Sequence, residues 1–389
     1  MKSELHHMQI DVVGGGVAGL ATARAAAMRG ANVRVFEQAP EIRELGAGLQ
    51  LSPNGMRVID ALGLGEALRD TSLEGRGVVL RNQRGKQVLR MDFTNVDGTF
   101  LMARRADLIA ALSHDLKSLG IDLNLNARIE AGSACHTERA LTVAADGACS
   151  GLRAGLGGDA PPFFTGQVAW RAIIDAHPDE PAEAQVFMGA GRHLVSYPLK
   201  GGRRNIVAVQ ERSTWAADSW STPDDPEALR AAFADFGGPV PEWLSQVEKV
   251  HIWGLFRRLV ARKWYGSVNG ASAVLVGDAA HPTLPFLAQG ANLALEDAWC
   301  LPAALAQSLS GDQSGAAVLR GLQLFQDIRR ARVVRTIEAA NANARNYHIK
   351  NKALQAVAHA VLRGGSAIVP SSAVRKFNWL YGYDVTSAF

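Results

Sequence analysis

The first strongly apolar stretch of the chain, Gln9–Val13 (QIDVV), is short and β-branched, and it runs directly into GGGVAGLATARAAAMRG. That order predicts a strand, a glycine turn and an Ala-rich helix ended by Gly30. Residues 31–37 (ANVRVFE) predict a second strand, which completes a βαβ unit. Residues 52–70 place Met56, Ile59, Leu62 and Leu68 at helical spacing behind Ser52, Pro53 and Asn54, so a helix is expected there. Alternating segments within 76–94, split by Gly85, predict a hairpin, and Arg105 to Leu119 predicts a helix closed by Gly120.

From about residue 163 to 265 the texture changes to short β-like runs (QVAWRAII, AQVFMG, HLVSYPL, NIVAVQE) separated by Gly, Pro and Asp turns. A buried-strand pattern returns in ASAVLVGDAAH (271–281), and residues 290–307 and 315–363 read mostly as helices. The expected organisation is a discontinuous dinucleotide-binding domain over 1–72, 98–160 and 268–330. A sheet-rich substrate domain over 73–97 and 161–267 and a C-terminal helical segment over 331–389 complete it.

Composition narrows the classes of function. Of 389 residues 48% are apolar and 20% charged, as in an ordinary globular protein. The net charge of +4 is spread out, without the dense basic block and interleaved aromatics of a nucleic-acid binder. Cys135, Cys149 and Cys300 are scattered and no CxxC or Cys/His spacing occurs, which argues against a disulfide framework and a metal site. No run is long enough to span a bilayer and the first residues lack a signal-peptide core, so a cytoplasmic protein that does not enter the membrane is expected.

Gly14, Gly16 and Gly19 form a GxGxxG motif between a strand and a helix. Gly14 permits the tight turn, Gly16 lets backbone approach a pyrophosphate, and Gly19 lets helix and strand pack closely. Glu37 ends the second strand, 18 residues after Gly19, where an acid can accept from both hydroxyls of an adenosine ribose. The motif marks a dinucleotide without choosing between NAD and FAD. A further stretch, GDAAHPTLPFLAQGANLALEDA (277–298), places Asp278 at the carboxyl end of a buried strand. A Pro/Gly loop containing Pro285 then delivers Gly290, Ala291 and Asn292 at a helix start, whose N–H groups favour negative charge on a bound ring system. His281 reads as a residue packing this loop, Glu296 and Asp297 as helix-start charges, and RRARVVR (329–335) as one solvated helix face.

These pieces together resemble the flavoprotein aromatic hydroxylases, the group that includes para-hydroxybenzoate and salicylate hydroxylases. GGGVAGL with Glu37 resembles the family's FAD fingerprint, and GAGLQLSPN (46–54), with Gly48, resembles the segment passing beside the flavin ring. ARRADL (103–108) maps an FAD-contacting arginine onto Arg105, and DGACSGLR (146–153) maps the Asp-Gly motif onto Asp146. The 277–298 stretch matches the Gly-Asp motif, including Pro285. AWRAII, HLVSYPL and WLYGYD bring the chain nearest to salicylate, 3-hydroxybenzoate and 6-hydroxynicotinate hydroxylases. One departure is the span between Arg128 and Asp146, only 17 residues where the family places a longer hairpin.

The resemblance implies an α/β fold with a Rossmann-type FAD-binding domain, an inserted β-sheet substrate domain and C-terminal helices. It implies bound FAD, transient NADH or NADPH, and a flavin C4a-hydroperoxide that hydroxylates a small phenolic or hydroxypyridine carboxylate. His193 and Tyr197, four apart on one strand and so on one face, are the candidate proton-handling pair. Gln50 is a candidate substrate contact, and Pro285 belongs to an apolar loop suited to excluding water. Arg171 and Arg192 are candidates to pair with a substrate carboxylate. Other readings stay open: an NAD-dependent dehydrogenase, a hydroxylase of a lipid-tailed phenol in quinone biosynthesis, or a flavin-binding protein without hydroxylase activity. Oligomeric state is not encoded in any recognisable motif, and a homodimer remains an option.

Overall fold

A computed structural model describes residues 4–6, 8–42, 47–130, 140–156, 161–177, 179–214, 222–268, 270–312, 314–368 and 372–389. Gly46, Cys135 and most of the short 129–145 segment therefore lie outside the described residues. Three sheets organise the chain. The first has six strands in the order Tyr265–Val268, Ala271–Leu275, Ala140–Ala144, Gln9–Val13, Asn32–Phe36 and Ile121–Asn124. All its pairings are parallel except the edge pair 265–268 with 271–275. Its inner strands are buried on both faces, with Val12, Val33, Val35, Val143 and Val274 fully enclosed.

The parallel register has a functional consequence. Val13 lies opposite both Phe36 and Ala144, and Leu275 also opposes Ala144. The segments that begin at Gly14, Glu37, Ala145 and Val276 thus all leave the sheet at its carboxyl end, where open α/β sheets bind ligands.

The second sheet has eight strands, ordered Thr222–Asp224, Val250–Arg257, Phe163–Asp175, Arg203–Glu211, Arg192–Leu199, Glu183–Gly189, Gly77–Asn82 and Gln87–Asp92. The hairpin at 77–92 turns at Gly85, whose φ of +83° suits glycine, and joins this sheet through parallel pairing of Gly77–Asn82 with Glu183–Gly189. One face packs on Trp170, Phe187, Phe233 and Trp243; the other faces the 284–287 loop through Ala169, Val209 and Trp253. A small sheet of Gly48–Leu51, Leu101–Arg104 and Leu73–Glu74 bridges the two.

Three local expectations are corrected. The 52–70 segment is two helices, Pro53–Ala61 and Gly65–Thr71, because Gly63 turns the chain with φ +74°. The helix from Arg105 ends at Ser113, before Asp115 takes a left-handed φ of +53°. The helix Gly315–Tyr347 runs unbroken past 330, so no boundary falls there.

Candidate active site

Each glycine of the first motif has a distinct geometric reason. A Cβ on Gly14, at φ +111°, would collide with the Ala145 carbonyl, and one on Gly19 would collide with the Gly14 carbonyl. Both are therefore held small by the fold itself. Gly16 differs: it caps the Val17–Ala27 helix, and a Cβ there would have nothing within 4 Å. Open space in front of helix N–H groups is what a pyrophosphate requires. Glu37 Oε2 accepts from Gly15 N at 2.7 Å and Oε1 from Ala39 N at 2.8 Å, which orients the carboxylate while each oxygen keeps a second lone pair.

The Asp-Gly and Gly-Asp segments meet the same sheet end. Asp146 Oδ2 accepts from Gly151 N at 3.0 Å, capping the short helix Gly151–Gly155, while Oδ1 is buried with no partner among the described residues. Burial raises the Asp146 pKa, against the Ser150 hydroxyl and backbone N–H groups that lower it. Asp278 is half-buried and also raised by desolvation, with Arg105 and His281 pulling the other way. Arg105 itself is exposed and opens its helix, its N–H bonded to Ala47 O at 2.8 Å. Arg153 is buried, its guanidinium bonded to the Ala279, Ala280 and Leu259 carbonyls, so it clamps loops together.

Gly290, Ala291 and Asn292 begin the Gly290–Leu309 helix as expected, but the Asn292 side chain works inward. Fully buried, it accepts from Ser52 N at 3.0 Å and donates to Gln50 O at 3.1 Å and Ala288 O at 2.8 Å. It thereby ties the helix to the 48–54 segment. Gly48 N in turn donates to Asn205 Oδ1 at 3.0 Å, and a Cβ on Gly48 would press on Asn205 at 2.8 Å and Tyr197 at 2.9 Å.

Behind this helix start lies a buried ion network. Arg329 Nε donates to Asp297 Oδ1 at 2.7 Å, its Nη1 pairs with Glu296, and Arg332 Nε reaches Glu296 Oε2 at 2.8 Å. His281 Nε2 sits 2.5 Å from Asp297 Oδ2, and Asn54 Nδ2 donates to Glu296 Oε1 at 2.6 Å. Burial alone would raise the Glu296 and Asp297 pKa values, but Arg329 with Arg332 at Glu296, and His281 with Arg329 at Asp297, bring both below the ordinary carboxylate range. This corrects two expectations: Glu296 and Asp297 are core ion-pair members, and the 329–335 run carries an entirely buried Arg329. The spacing of Arg329 and Arg332, one helical turn apart, was the available signal.

A cavity partly open to solvent lies between the second sheet, the 285–289 loop and the C-terminal helices. Gln50, Val195, Pro285, Phe286, Tyr347 and Tyr381 are among its lining residues, and no charged side chain lines it among the described residues. Phe93 stacks on Phe100 at 3.8 Å between ring centroids, with Tyr381 edge-on to Phe100 at 5.0 Å, forming an aromatic wall the sequence did not reveal. Phe93 and Phe100 lie seven residues apart and Tyr381 joins them from the C-terminal segment, so no local pattern links the three.

His193 and Tyr197 do not line this cavity; Val195, between them on the same face, does. The alternation places each about 7 Å from Val195 along the strand. His193 is buried behind the cavity wall, its ring 5.3 Å from those of Phe286 and Tyr347, with Nδ1 2.6 Å from His348 Nε2. Tyr197 packs toward Gly48, and burial raises its pKa. Arg192 is engaged by Asp235 at 2.7 Å, and Arg171 lies 5.2 Å from the Trp253 ring; neither lines the cavity.

The chain matches the family model described as FAD binding domain over residues 7–340. It belongs to that family. Curated relatives support the same placement. A 3-hydroxybenzoate 6-hydroxylase of Polaromonas naphthalenivorans is 31% identical over 404 residues, covering 97% of this chain and 96% of the relative. A 3-amino-4-hydroxybenzoate 2-monooxygenase of Streptomyces platensis is 30% identical, with 97% of each covered. Among solved structures, a salicylate hydroxylase substrate complex superposes with TM-score 0.77 at 22% identity, covering 98% of this chain and 96% of that one. Klebsiella pneumoniae HpxO complexed with FAD and uric acid gives TM-score 0.78 at 22%, with 94% and 95% covered. The protein is an FAD-dependent monooxygenase with the salicylate hydroxylase type of fold.

The residues present fit FAD. The open space at Gly16, the unpartnered Asp146 Oδ1 and the helix starts at Val17 and Gly290 converge on the carboxyl end of the first sheet. No described helix is long and apolar enough to cross a membrane, and no metal-holding group of His, Cys, Asp and Glu occurs among the described residues.

Proposed function

We propose that this protein takes electrons from NADH or NADPH and transfers one oxygen atom of O2 to the ring of a small phenolic or hydroxypyridine carboxylate. The carrying observation is the aromatic-walled cavity between the second sheet and the loop that leads into the Gly290 helix. Relatives named for 3-hydroxybenzoate, 3-amino-4-hydroxybenzoate and 6-hydroxynicotinate supply the substrate class.

The first sheet and its helices, built from 1–72, 98–160 and 268–330, would hold the cofactor, and the second sheet, from 73–97 and 161–267, the substrate. Gly14, Gly16 and Gly19 would admit the pyrophosphate, and Glu37 would take the ribose. Gly48, Arg105, Asp146, Asp278 and the 290–292 helix start would frame the remainder of FAD. When bound, FAD supplies hydride acceptance and oxygen activation; the protein supplies position and dryness. Pro285, Phe286 and Leu287 line the cavity and would help to exclude water once substrate is bound. A substrate carboxylate would be met by neutral donors, of which the Gln50, Gln289 and Asn343 amides line the cavity.

The test is the absorption spectrum of the purified protein, followed by NADH and NADPH oxidation with salicylate, 3-hydroxybenzoate, 6-hydroxynicotinate and 3-amino-4-hydroxybenzoate. Flavin bands and substrate-stimulated oxidation that yields a hydroxylated product are expected. Oxidation that no phenol or hydroxypyridine stimulates would refute the reading.

A further inference from the structure

Two tyrosines from the C-terminal part of the chain line the cavity. Tyr347 and Tyr381 are exposed by only 9% and 8%, and neither hydroxyl is hydrogen-bonded to a described residue. Three other polar side chains of the wall already have partners. Gln289 Nε2 donates to Ser52 Oγ at 2.9 Å, and Ser52 Oγ donates to Asn54 Oδ1 at 2.7 Å. Asn343 Nδ2 reaches Phe286 O at 3.4 Å. Gln50 sits on the strand whose carbonyl Asn292 holds, on the side of the cofactor helix.

A hydroxyl that loses water on folding and gains no protein partner is a cost to the fold, offset when a ligand accepts its hydrogen bond. Two such donors in one cavity match a substituent with two acceptor oxygens, and an ionised carboxylate accepts only. The cavity has no charged side chain among the described residues, so a buried carboxylate depends on neutral donors there. We propose that Tyr347 and Tyr381 are specificity-determining residues whose hydroxyls receive the substrate carboxylate, so that the cavity selects carboxylated rings without a cationic partner. The inference rests on the hydroxylase reading for the class of ligand, and it assigns the end of the ligand that reading leaves open.

Both side chains are held from behind, as a selective site requires. Tyr347 ends the Gly315–Tyr347 helix one turn after Asn343 and packs among Leu80, Val186 and Met188. Tyr381 ends the short helix Asn378–Tyr381, its ring 5.9 Å from that of Phe377 and edge-on to Phe100. Arg57 Nη1 donates to Tyr381 O at 2.7 Å, and Arg332 donates to Trp379 O and Leu380 O at 2.9 Å each. Since Arg332 also binds Glu296, the buried ion network anchors this helix. The tyrosines stay neutral in the role. Burial pushes Tyr347 up to about 12, and burial with Tyr347 nearby raises Tyr381 as well, so neither repels a bound anion.

The test measures dissociation constants from the change in flavin absorbance, on FAD-loaded protein without NADH. The ligands are 3-hydroxybenzoate, salicylate and 6-hydroxynicotinate, each paired with the ring that carries a methyl in place of the carboxylate. Tyr347→Phe and Tyr381→Phe keep the ring and remove one hydroxyl each. Either change should weaken binding of the best carboxylate by about 10-fold or more, the range of a hydrogen bond to a charged group. Binding of the methyl counterpart should change little. Unchanged carboxylate binding in either variant, or equal losses for carboxylate and methyl rings, would overturn the proposal. So would an unmodified protein that binds no carboxylate more tightly than its methyl counterpart. Product analysis with NADH separates the two readings. A carboxylate that binds through the tyrosines and is never hydroxylated strikes the proposed function alone; hydroxylation by both variants with unchanged KM strikes the tyrosine assignment alone.

Discussion

Replacing Arg329 with Leu removes a guanidinium that touches both buried carboxylates behind the cofactor helix. Arg329, Glu296 and Asp297 are all fully enclosed, so neither carboxylate can recover its lost partner by turning to water. Breaking a buried pair from one side costs about 3–5 kcal/mol. Glu296 would retain two bonds from Arg332, at 2.8 Å each, and Asp297 would retain His281, which places the expected loss near the lower end, about 3 kcal/mol. The pH dependence separates charge from packing. Glu296 and Asp297 have pKa values held below their unfolded ones, so their stabilisation is present above the unfolded values, about 3.9–4.3, and is lost as pH falls through the folded ones. Without Arg329 the orphaned carboxylates favour protonation, so the deficit should be largest near neutral pH and shrink toward acid. Urea unfolding of both proteins at fixed excess FAD, from neutral pH to about pH 5, measures it. A deficit under about 1 kcal/mol, or one of constant size across that range, would refute the electrostatic account.

Three further outcomes follow from the cofactor site. Gly16→Ala adds a Cβ into open space, so the variant should fold normally and lose FAD affinity, read by flavin retention on gel filtration. Gly19→Ala drives its Cβ into the Gly14 carbonyl, so it should lose about 1–3 kcal/mol of stability; equal stability of the two variants would contradict the geometry. Asp278→Asn removes a carboxylate whose pKa burial raises, so it should stabilise the FAD-free protein at pH values where that carboxylate would have to ionise against its burial. The gain should fade as pH falls toward the unfolded value of about 3.9, and its absence in thermal melts would show that Asp278 is adequately solvated.

The sequence by itself determined the features that depend on neighbours in the chain. A β-branched run, a glycine turn and an Ala-rich segment specify a strand, a turn and a helix through local sterics, and Gly14 and Gly85 are needed for positive φ. The hairpin at 77–92, the strand at 192–199 and the helix start at 290 were legible for the same reason. Burial of charge was not. The Arg-rich run at 329–335 has the same periodicity whether it faces water or Glu296 and Asp297, because the partner lies 33 residues away and only packing brings it near. Nor could alternation tell that Val195, rather than His193 or Tyr197, would line the cavity: all three share a face, and what covers that face is decided by Phe286 and Tyr347 from other elements. Periodicity states which side of a strand is inward; only the tertiary structure supplies what stands opposite, and with it the hydrogen-bond partners that set each group's charge.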